Sequence, residues 1–293
     1  MKLSVIMVCL NESKTMRDQL DALARQHPWE DDWEVIVADN GSTDGSQDIA
    51  RAYADQLNIT VLDASDTLGS AYARNTAATA ATGEGLLFVD ADDVVADDWL
   101  VHMGNALKQH EFVAARLEFR KLNPDWVYHS RGRPQEKQLA RYPYGDFFPH
   151  AFGTSLGIRK TLHDTADGFD ERLLRGQDME YCWRIQAQGV ELVYIPEAVV
   201  HYRFRADFDA IYNQSYRYAQ GNMQIYKIYV KRHQQDETVR VPPKPTLDLK
   251  KLAYLVVHYP RIKDDQDRGS WLWNFGWELG LIKGAWRYKI MPF

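Results

Sequence analysis

Short apolar runs that end on polar residues recur through the first half of the chain, each followed by a stripe at helical spacing, and this alternation constrains the fold most. Leu3 to Cys9 is a nearly continuous apolar run, as expected of a strand covered on both faces. Met16, Leu20, Leu23 and His27 then follow helical spacing. Trp33 to Ala38 reads as a second strand, ending at Asp39, and Ile49, Ala50, Tyr53 and Leu57 as the next helix. Ile59 to Leu62 is a third strand, and Ala71 to Ala81 a strong helix former. Leu86 to Val89 is a fourth strand, with Leu100, Met103 and Leu107 marking another helix. Strand alternating with helix predicts an α/β fold around a mostly parallel sheet.

The pattern fades from Asn123 to Pro149, an irregular stretch of the kind that often forms a binding loop or lid. Order returns near Ala151 to Ile158. A helix is expected over Gln177 to Gln188, then a strand over Val190 to Ile195 that stops before Pro196. Beyond Arg205 the composition turns helical and rich in tyrosine, and Glu237 to Pro245, with three prolines, reads as a linker. In the tail, Trp271, Phe275, Leu279, Ile282 and Trp286 fall on one helical face, with Trp273 and Trp277 off it.

Composition removes several function classes. Hydrophobic residues make up 45% of the 293 and charged residues 26%, which suits a folded body with a sizeable core. A net charge of -6 argues against nucleic acid as a partner, since phosphate contacts need clustered Lys and Arg. Cys9 and Cys182 lack metal-ligand spacing and give no disulfide framework, so a reducing cytoplasm is the simplest compartment. Asn11 and Glu12 interrupt the first apolar run, which favours a buried strand there over a signal peptide. No window approaches the roughly 18 apolar residues of a membrane span.

Ligands of open α/β sheets collect beyond the carboxyl ends of the strands. Asn11 and Glu12, Asp39 and Asn40, Asp63, and Asp90 with Asp92 all stand at such ends. Each alone is an ordinary turn former; their recurrence is what suggests a site. In Phe88-Val89-Asp90-Ala91-Asp92-Asp93 three carboxylates follow an apolar strand. Like charges so close repel unless a cation or water relieves them, and oxygen ligands suit Mg²⁺ or Mn²⁺. An acidic turn leading into the next helix is the plainer alternative. Asp39 to Ser46 supplies two glycines for tight turns and polar residues that cap a helix or hold a ligand.

Val-Cys-Leu-Asn-Glu (8–12), Val-Ala-Asp-Asn-Gly-Ser-Thr-Asp-Gly-Ser (37–46), Gly-Ser-Ala-Tyr-Ala-Arg-Asn (69–75) and Phe-Val-Asp-Ala-Asp-Asp (88–93) occur in this order. More thinly, Gly-Phe-Asp-Glu (168–171), Gly-Gln-Asp-Met-Glu (176–180) and Pro-Glu-Ala-Val-Val-His (196–201) follow. Together they resemble the family 2 glycosyltransferases of the GT-A fold. The resemblance implies a Rossmann-like, mostly parallel sheet flanked by helices. A catalytic domain would span 1–205, with a nucleotide-binding half at about 1–95 and an acceptor half at about 96–205, followed by a helical extension over 206–293. Leu10, Asn11, Glu12 and Asp39 would hold the base and ribose of a nucleotide diphosphate sugar. Arg74 would lie near the base or diphosphate, and Asp90 would face the ribose or donor sugar. Asp92 would ligate Mn²⁺ or Mg²⁺, with His201 completing the metal site, and Asp178 would be the catalytic base of an inverting transfer.

The sequence also departs from the family pattern. Val8 stands where many members have Pro, Gln177 replaces the usual first acid of the later motif, and Thr76-Ala77 lacks a frequent Gly. From the residues alone, Asp178 reads first as a helix N-cap or first-turn acid favoured by the helix dipole, and His201 equally as a half-buried histidine with one hydrogen bond. Arg203 and Arg205 suit diphosphate, acceptor or solvent alike.

A sugar nucleotidyltransferase is disfavoured because residues 8–14 hold no glycine-rich loop, and a non-catalytic nucleotide-sugar-binding protein because Asp90, Asp92 and Asp178 are all present. A glycan or lipid-linked acceptor is expected. The tail, with Lys283, Arg287 and Lys289 among its aromatic residues, suits packing on the catalytic domain, another subunit, or peripheral contact at the inner face of the plasma membrane.

Overall fold

The first half builds its strands where the apolar runs stand, because those runs alternate between two buried faces. The computed structural model describes residues 1–232 and 240–292. Its elements are β1 Leu3–Cys9, α1 Met16–Ala24, β2 Trp33–Asp39, α2 Ser46–Arg51, β3 Ile59–Asp63, α3 Ser70–Ala80 and β4 Gly85–Asp90. Next come β5 Val94–Val95, α4 Trp99–Gln109, β6 Phe112–Glu118, α5 Asp125–Ser130, β7 Leu156–Arg159, α6 Lys160–Thr165, α7 Gln177–Gln186 and β8 Val193–His201. The helices α8 Phe208–Arg232, α9 Leu249–His258 and α10 Asp265–Tyr288 follow.

One eight-stranded sheet runs in the order β3-β2-β1-β4-β7-β6-β8-β5. β3, β2, β1 and β4 are parallel neighbours, as are β6 and β8. β7 runs antiparallel to β4 and β6, and β5 antiparallel to β8. Val5, Met7, Leu87 and Val89 face a core shared with α1 and α4. Ile6, Leu86 and Phe88 face the opposite core, which holds Ala71, Ala73, Ala77 and Ala78 of α3. The small alanines let α3 sit close on the sheet.

Two strands differ from the sequence expectation. β6 carries no alternating pattern, since Phe112 to Ala115 are all fully buried. β8 does not stop before Pro196 but continues to His201. Proline cannot donate to the ladder, so the register with β6 breaks there: Ala115 pairs with Ile195 and Arg116 with Val199. The irregular 123–149 stretch contains the short α5. Of the expected linker, residues 237–239 lie outside the described residues, and 240–248 form no helix or strand.

The C-terminal helices fold back onto the body. Ile225 and Tyr229 of α8 join Trp183, Phe147 and Leu173 in one buried cluster. α10 lies along α8 through Gly276, Gly280 and Gly284, where a Cβ at Gly276 would stand 2.8 Å from the Tyr212 carbonyl oxygen and one at Gly284 3.0 Å from Met223 Cγ. This spacing of four places the glycines on one face and lets the backbones approach. Trp273 and Trp277, off the predicted aromatic face, reach the body instead: Trp277 Nε1 donates to Tyr144 Oη at 2.9 Å. Trp271 and Phe275 stack on each other at 4.5 Å, and Trp271 Nε1 donates to the Leu255 carbonyl of α9 at 2.8 Å. Among the described residues no helix is long and apolar enough to cross a membrane.

Candidate active site

Parallel register brings the polar strand ends to one edge of the sheet. Cys9 pairs with Asp39, Asp39 with Asp63, and Val8 with Asp90. Beyond β1, Asn11 takes a left-handed conformation (φ 58°), its Oδ1 accepting from Thr43 N at 2.8 Å. Ser42 Oγ in turn accepts from Asn11 N at 2.8 Å, so the two loops hold each other. Leu10 is exposed beside them. Asp39 is buried; its Oδ2 accepts from Ser42 N at 3.0 Å and Gln47 Nε2 at 2.7 Å. Its Oδ1 is buried without a hydrogen-bond partner. An orphaned buried acceptor is costly unless a ligand supplies a donor.

Asp90, Asp92 and Asp93 form a group whose carboxylate oxygens lie within 4.8 Å of one another, the arrangement a divalent cation needs. Burial first, then repulsion from Asp90 and Glu12, pushes the Asp92 carboxyl up to about 7, with Arg205 opposing. Burial first, then repulsion from Asp92 and Asp90, raises Asp93 as well. Asp93 is held by Thr154 Oγ1, donating at 2.7 Å, and by Arg203 N at 2.8 Å. Arg205 Nη2 stands 3.2 Å from Asp92 Oδ2 and 3.5 Å from Glu12 Oε1, a fixed cation against the carboxylate group. Arg203 instead braces the loop, donating through Nε to the Asp92 carbonyl at 2.8 Å and through Nη2 to Asp18 at 2.9 Å.

His201 is not among these three carboxylates. Register places it opposite Glu118 of β6 and Val94 of β5. Its Nδ1 meets Glu118 Oε2 at 2.7 Å. Burial lowers its pKa, against the Glu118 contact, which raises it.

Asp178 opens α7 after Gly176, which is left-handed at φ 71°. Gly153 N and Met179 N donate to its two oxygens at 3.1 and 2.9 Å. Burial raises its pKa, and the Arg74 charge pulls it back. Arg74, buried on α3, donates through Nη2 to Asp90 Oδ1 at 2.6 Å, while its Nε and Nη1 are buried without partners. Gly153 sits against the guanidinium: a Cβ there would lie 2.7 Å from Arg74 Cζ. Gly153 thus meets both the Arg74 guanidinium and Asp178, which puts Asp178 in the neighbourhood of the strand-end carboxylates, residues far apart in the chain. Gln177, where the family pattern has an acid, donates to Ser70 Oγ at 2.7 Å and ties α7 to the start of α3.

Four further residues lie around these groups and carried no sequence signal of their own. Thr154 couples Asp93 to the Asp90 backbone, whose N–H donates to Thr154 Oγ1 at 3.1 Å. Tyr218 of α8 is raised by burial, with Asp178 and Asp90 adding negative charge nearby. Gln214 Nε2 donates to its hydroxyl at 3.2 Å. Arg131, lowered to about 10 by burial, donates to Gln214 Oε1 at 3.2 Å and to the Arg205 carbonyl, and stacks over Phe204 at 4.2 Å. The tyrosine-rich composition after Arg205 was the one hint that α8 reaches the site.

The fold, with acidic residues gathered at its strand ends, is an α/β fold of GT-A type. The descriptions "Glycosyl transferase family 2" and "Glycosyl transferase family group 2" match residues 4–165 and 85–293, and the chain belongs to the family 2 glycosyltransferases. Glycosyltransferase AglE of Haloferax volcanii is 25% identical over 231 residues, covering 77% of this chain and 74% of AglE. A poly(ribitol-phosphate) beta-glucosyltransferase of Bacillus spizizenii is 34% identical over 162 residues, 55% of this chain but only 25% of that protein. Among solved structures, the mannosyltransferase PcManGT of Pyrobaculum calidifontis, in complex with GDP-Man and Mn²⁺, matches with a TM-score of 0.62 at 21% identity, covering 97% of this chain and 75% of that one. The S. aureus TarS 1-349 complex with UDP-GlcNAc matches with a TM-score of 0.55 at 17% identity, covering 98% and 92%. Both show the fold. The chain is thus a glycosyltransferase.

Proposed function

We propose that this enzyme moves a sugar from a nucleotide diphosphate sugar to a hydroxyl of a glycan or lipid-linked acceptor, with inversion at the anomeric carbon and Asp178 as general base. The observation that carries the reading is the position of Arg74, bonded to Asp90 on one side and packed on the other against Gly153, whose N–H donates to Asp178. One buried guanidinium thereby sets the donor side and the acceptor side of the site next to each other.

Leu10, Asn11, Glu12 and Asp39 hold the nucleoside, and the unfilled Asp39 Oδ1 is the acceptor for a base N–H. The three clustered carboxylates fit Mn²⁺ or Mg²⁺ in number and ligand chemistry, and Asp90, Asp92 and Asp93 would hold it. A bound divalent cation supplies positive charge for the leaving diphosphate. With Nδ1 committed to Glu118, His201 would meet the metal only through Nε2.

Asp178 takes the proton of the acceptor hydroxyl. The freed oxygen attacks the anomeric carbon, and the bond to the diphosphate oxygen breaks, releasing nucleoside diphosphate. Burial keeps Asp178 a better proton acceptor than an exposed carboxylate, and the two backbone N–H groups fix its plane. The structural neighbours, solved with UDP-GlcNAc and GDP-Man, support a nucleotide-sugar donor.

The test is Asp178→Asn. Nucleoside diphosphate and Mn²⁺ are expected to raise its unfolding temperature as in the parent protein, while transfer falls by about 10²–10⁴-fold. Parent-like transfer by the variant would remove Asp178 from the mechanism. Failure of UDP-, GDP- and dTDP-sugars alike to stabilise the parent protein would remove the donor class.

A further inference from the structure

We propose that α9 and the end of α10 form a surface that binds peripherally to membranes containing anionic lipid. The first observation is the inverted polarity of α9. Of its ten residues only Leu255 is buried. Leu249 is 58% exposed, Val256 60% and Val257 63%, and helical spacing puts all three on the side turned away from α10. A short surface helix in a protein of this kind ordinarily buries such a stripe and exposes its polar face.

The helix is nevertheless firmly placed. Asp248 caps it, its Oδ1 accepting from Lys251 N at 2.9 Å. Lys251 Nζ stands 3.2 Å from Glu278 of α10, and the Asp248 N–H donates to the same carboxylate at 3.2 Å. Glu278, Ile282 and Trp286 succeed one another at spacings of four, so the side of α10 that receives α9 runs on into Ile282 and Trp286. Trp286 is 76% exposed, and Lys283 Nζ lies 4.7 Å from its ring centroid. Exposed aliphatic side chains, a tryptophan and flanking lysines are the equipment of a helix lying in the membrane interface.

Charge decides the occupant. The whole chain has a net charge of -6, yet residues 249–293 hold eight Lys and Arg against four Asp and Glu. Three of those four acids, Asp264, Asp265 and Asp267, sit at the start of α10, and the fourth, Glu278, is buried. α9 itself contains no acid. A second copy of the chain meeting this face about a twofold axis would set the basic face that carries Lys250 and Lys283 against an identical basic face. Anionic headgroups meet the same lysines with opposite charge while the acyl boundary receives Val256, Val257 and Trp286.

The test is flotation of the full 293-residue chain with phosphatidylcholine vesicles and with phosphatidylcholine–phosphatidylglycerol vesicles. Binding to the anionic vesicles only, weakened by salt, is expected. Val256→Ser with Val257→Ser, and separately Lys250→Glu with Lys283→Glu, should each lower that binding about tenfold or more, with the unfolding temperature by circular dichroism unchanged. All four positions are exposed, and none belongs to the transfer site, so sugar transfer to a soluble acceptor should stay at the parent rate. Lack of binding to either vesicle type overturns the proposal. So does equal binding to both, or a concentration-dependent dimer that the serine variant dissolves. None of these results bears on the transfer chemistry.

Discussion

Asp92 and Arg205 describe a site in which one cation already stands where another is wanted. Arg205 is half exposed and its bond to Asp92 Oδ2 is 3.2 Å, so the pair holds modestly. A divalent ion taking up the carboxylates must displace that contact, and a nucleoside diphosphate offers Arg205 a new partner. Arg205→Gln should therefore tighten Mn²⁺ binding to the nucleotide-free protein by roughly 3- to 10-fold, as read by manganese paramagnetic resonance, since it removes a competitor worth about 1 kcal/mol. The same variant should bind nucleoside diphosphate more weakly. Weaker Mn²⁺ binding would mean that Arg205 organises the carboxylates rather than competes for them. Asp92→Asn should abolish the Mn²⁺-dependent part of nucleotide stabilisation. The placing of Asp90 and Asp92 at a strand end was legible because strand ends are a local property of the chain, and that of Asp178 in the first turn of a helix because its motif is local too. Thr154, Arg131 and Tyr218 were not, because their roles come only from partners across the fold. The pairing of His201 with Glu118 depends on strand register, which no local pattern states.

Among the elements, α8 and α10 give the clearest case of a packing solution hidden from a search for large apolar residues. The aromatic stripe of the tail suggested the buried face, but the close contact is made by Gly276, Gly280 and Gly284. Glycine adds nothing to a periodic hydrophobic signal, while its missing side chain is what permits the approach. Gly276→Val is expected to force the Tyr212 carbonyl and the α10 backbone apart, costing about 1–3 kcal/mol and lowering the unfolding temperature by several degrees. Trp286→Ala, at an exposed position, should stay within about 0.5 kcal/mol of the parent. If the two variants unfold alike, the glycine face is not what joins the helices. β8 teaches a related lesson. Pro196 suggested a stop, yet a break in register lets the strand resume at Val199 and run to His201, from which the following loop brings Arg203 and Arg205 to the carboxylates. β6 was invisible for the opposite reason: burial on both faces erased the alternation that marks a half-exposed strand.

For the molecule as a whole, the fold class was readable from alternating strands and helices, but the return of the C-terminal helices to the body was not, because it rests on contacts between distant segments such as Trp183 with Tyr229. The fold buries titratable groups of opposing sign, and the balance predicts how pH and metal act together. His150 and His163 are pushed down to about 4 by burial, against an ordinary value of 6.5. Between those values the unfolded chain binds more protons, so the stability they confer is present above about 6.5 and lost as pH falls toward about 4. Asp92 behaves in the reverse sense. It keeps its proton up to about 7 in the fold but only to 3.8 when unfolded, so across that window its deprotonation costs stability as pH rises. Burial raises Asp93 and Asp178 in the same direction. Without a cation the two trends oppose each other, and the unfolding temperature should change little with pH between about 5 and 7. A divalent ion needs the carboxylates ionised and offsets their repulsion, leaving the histidine trend. Stabilisation by Mn²⁺ should therefore be small near pH 5 and grow steadily through about 7. Unfolding temperatures measured across that range with and without Mn²⁺ should diverge as pH rises. Parallel curves would show that the carboxylate group does not hold the proton its burial implies.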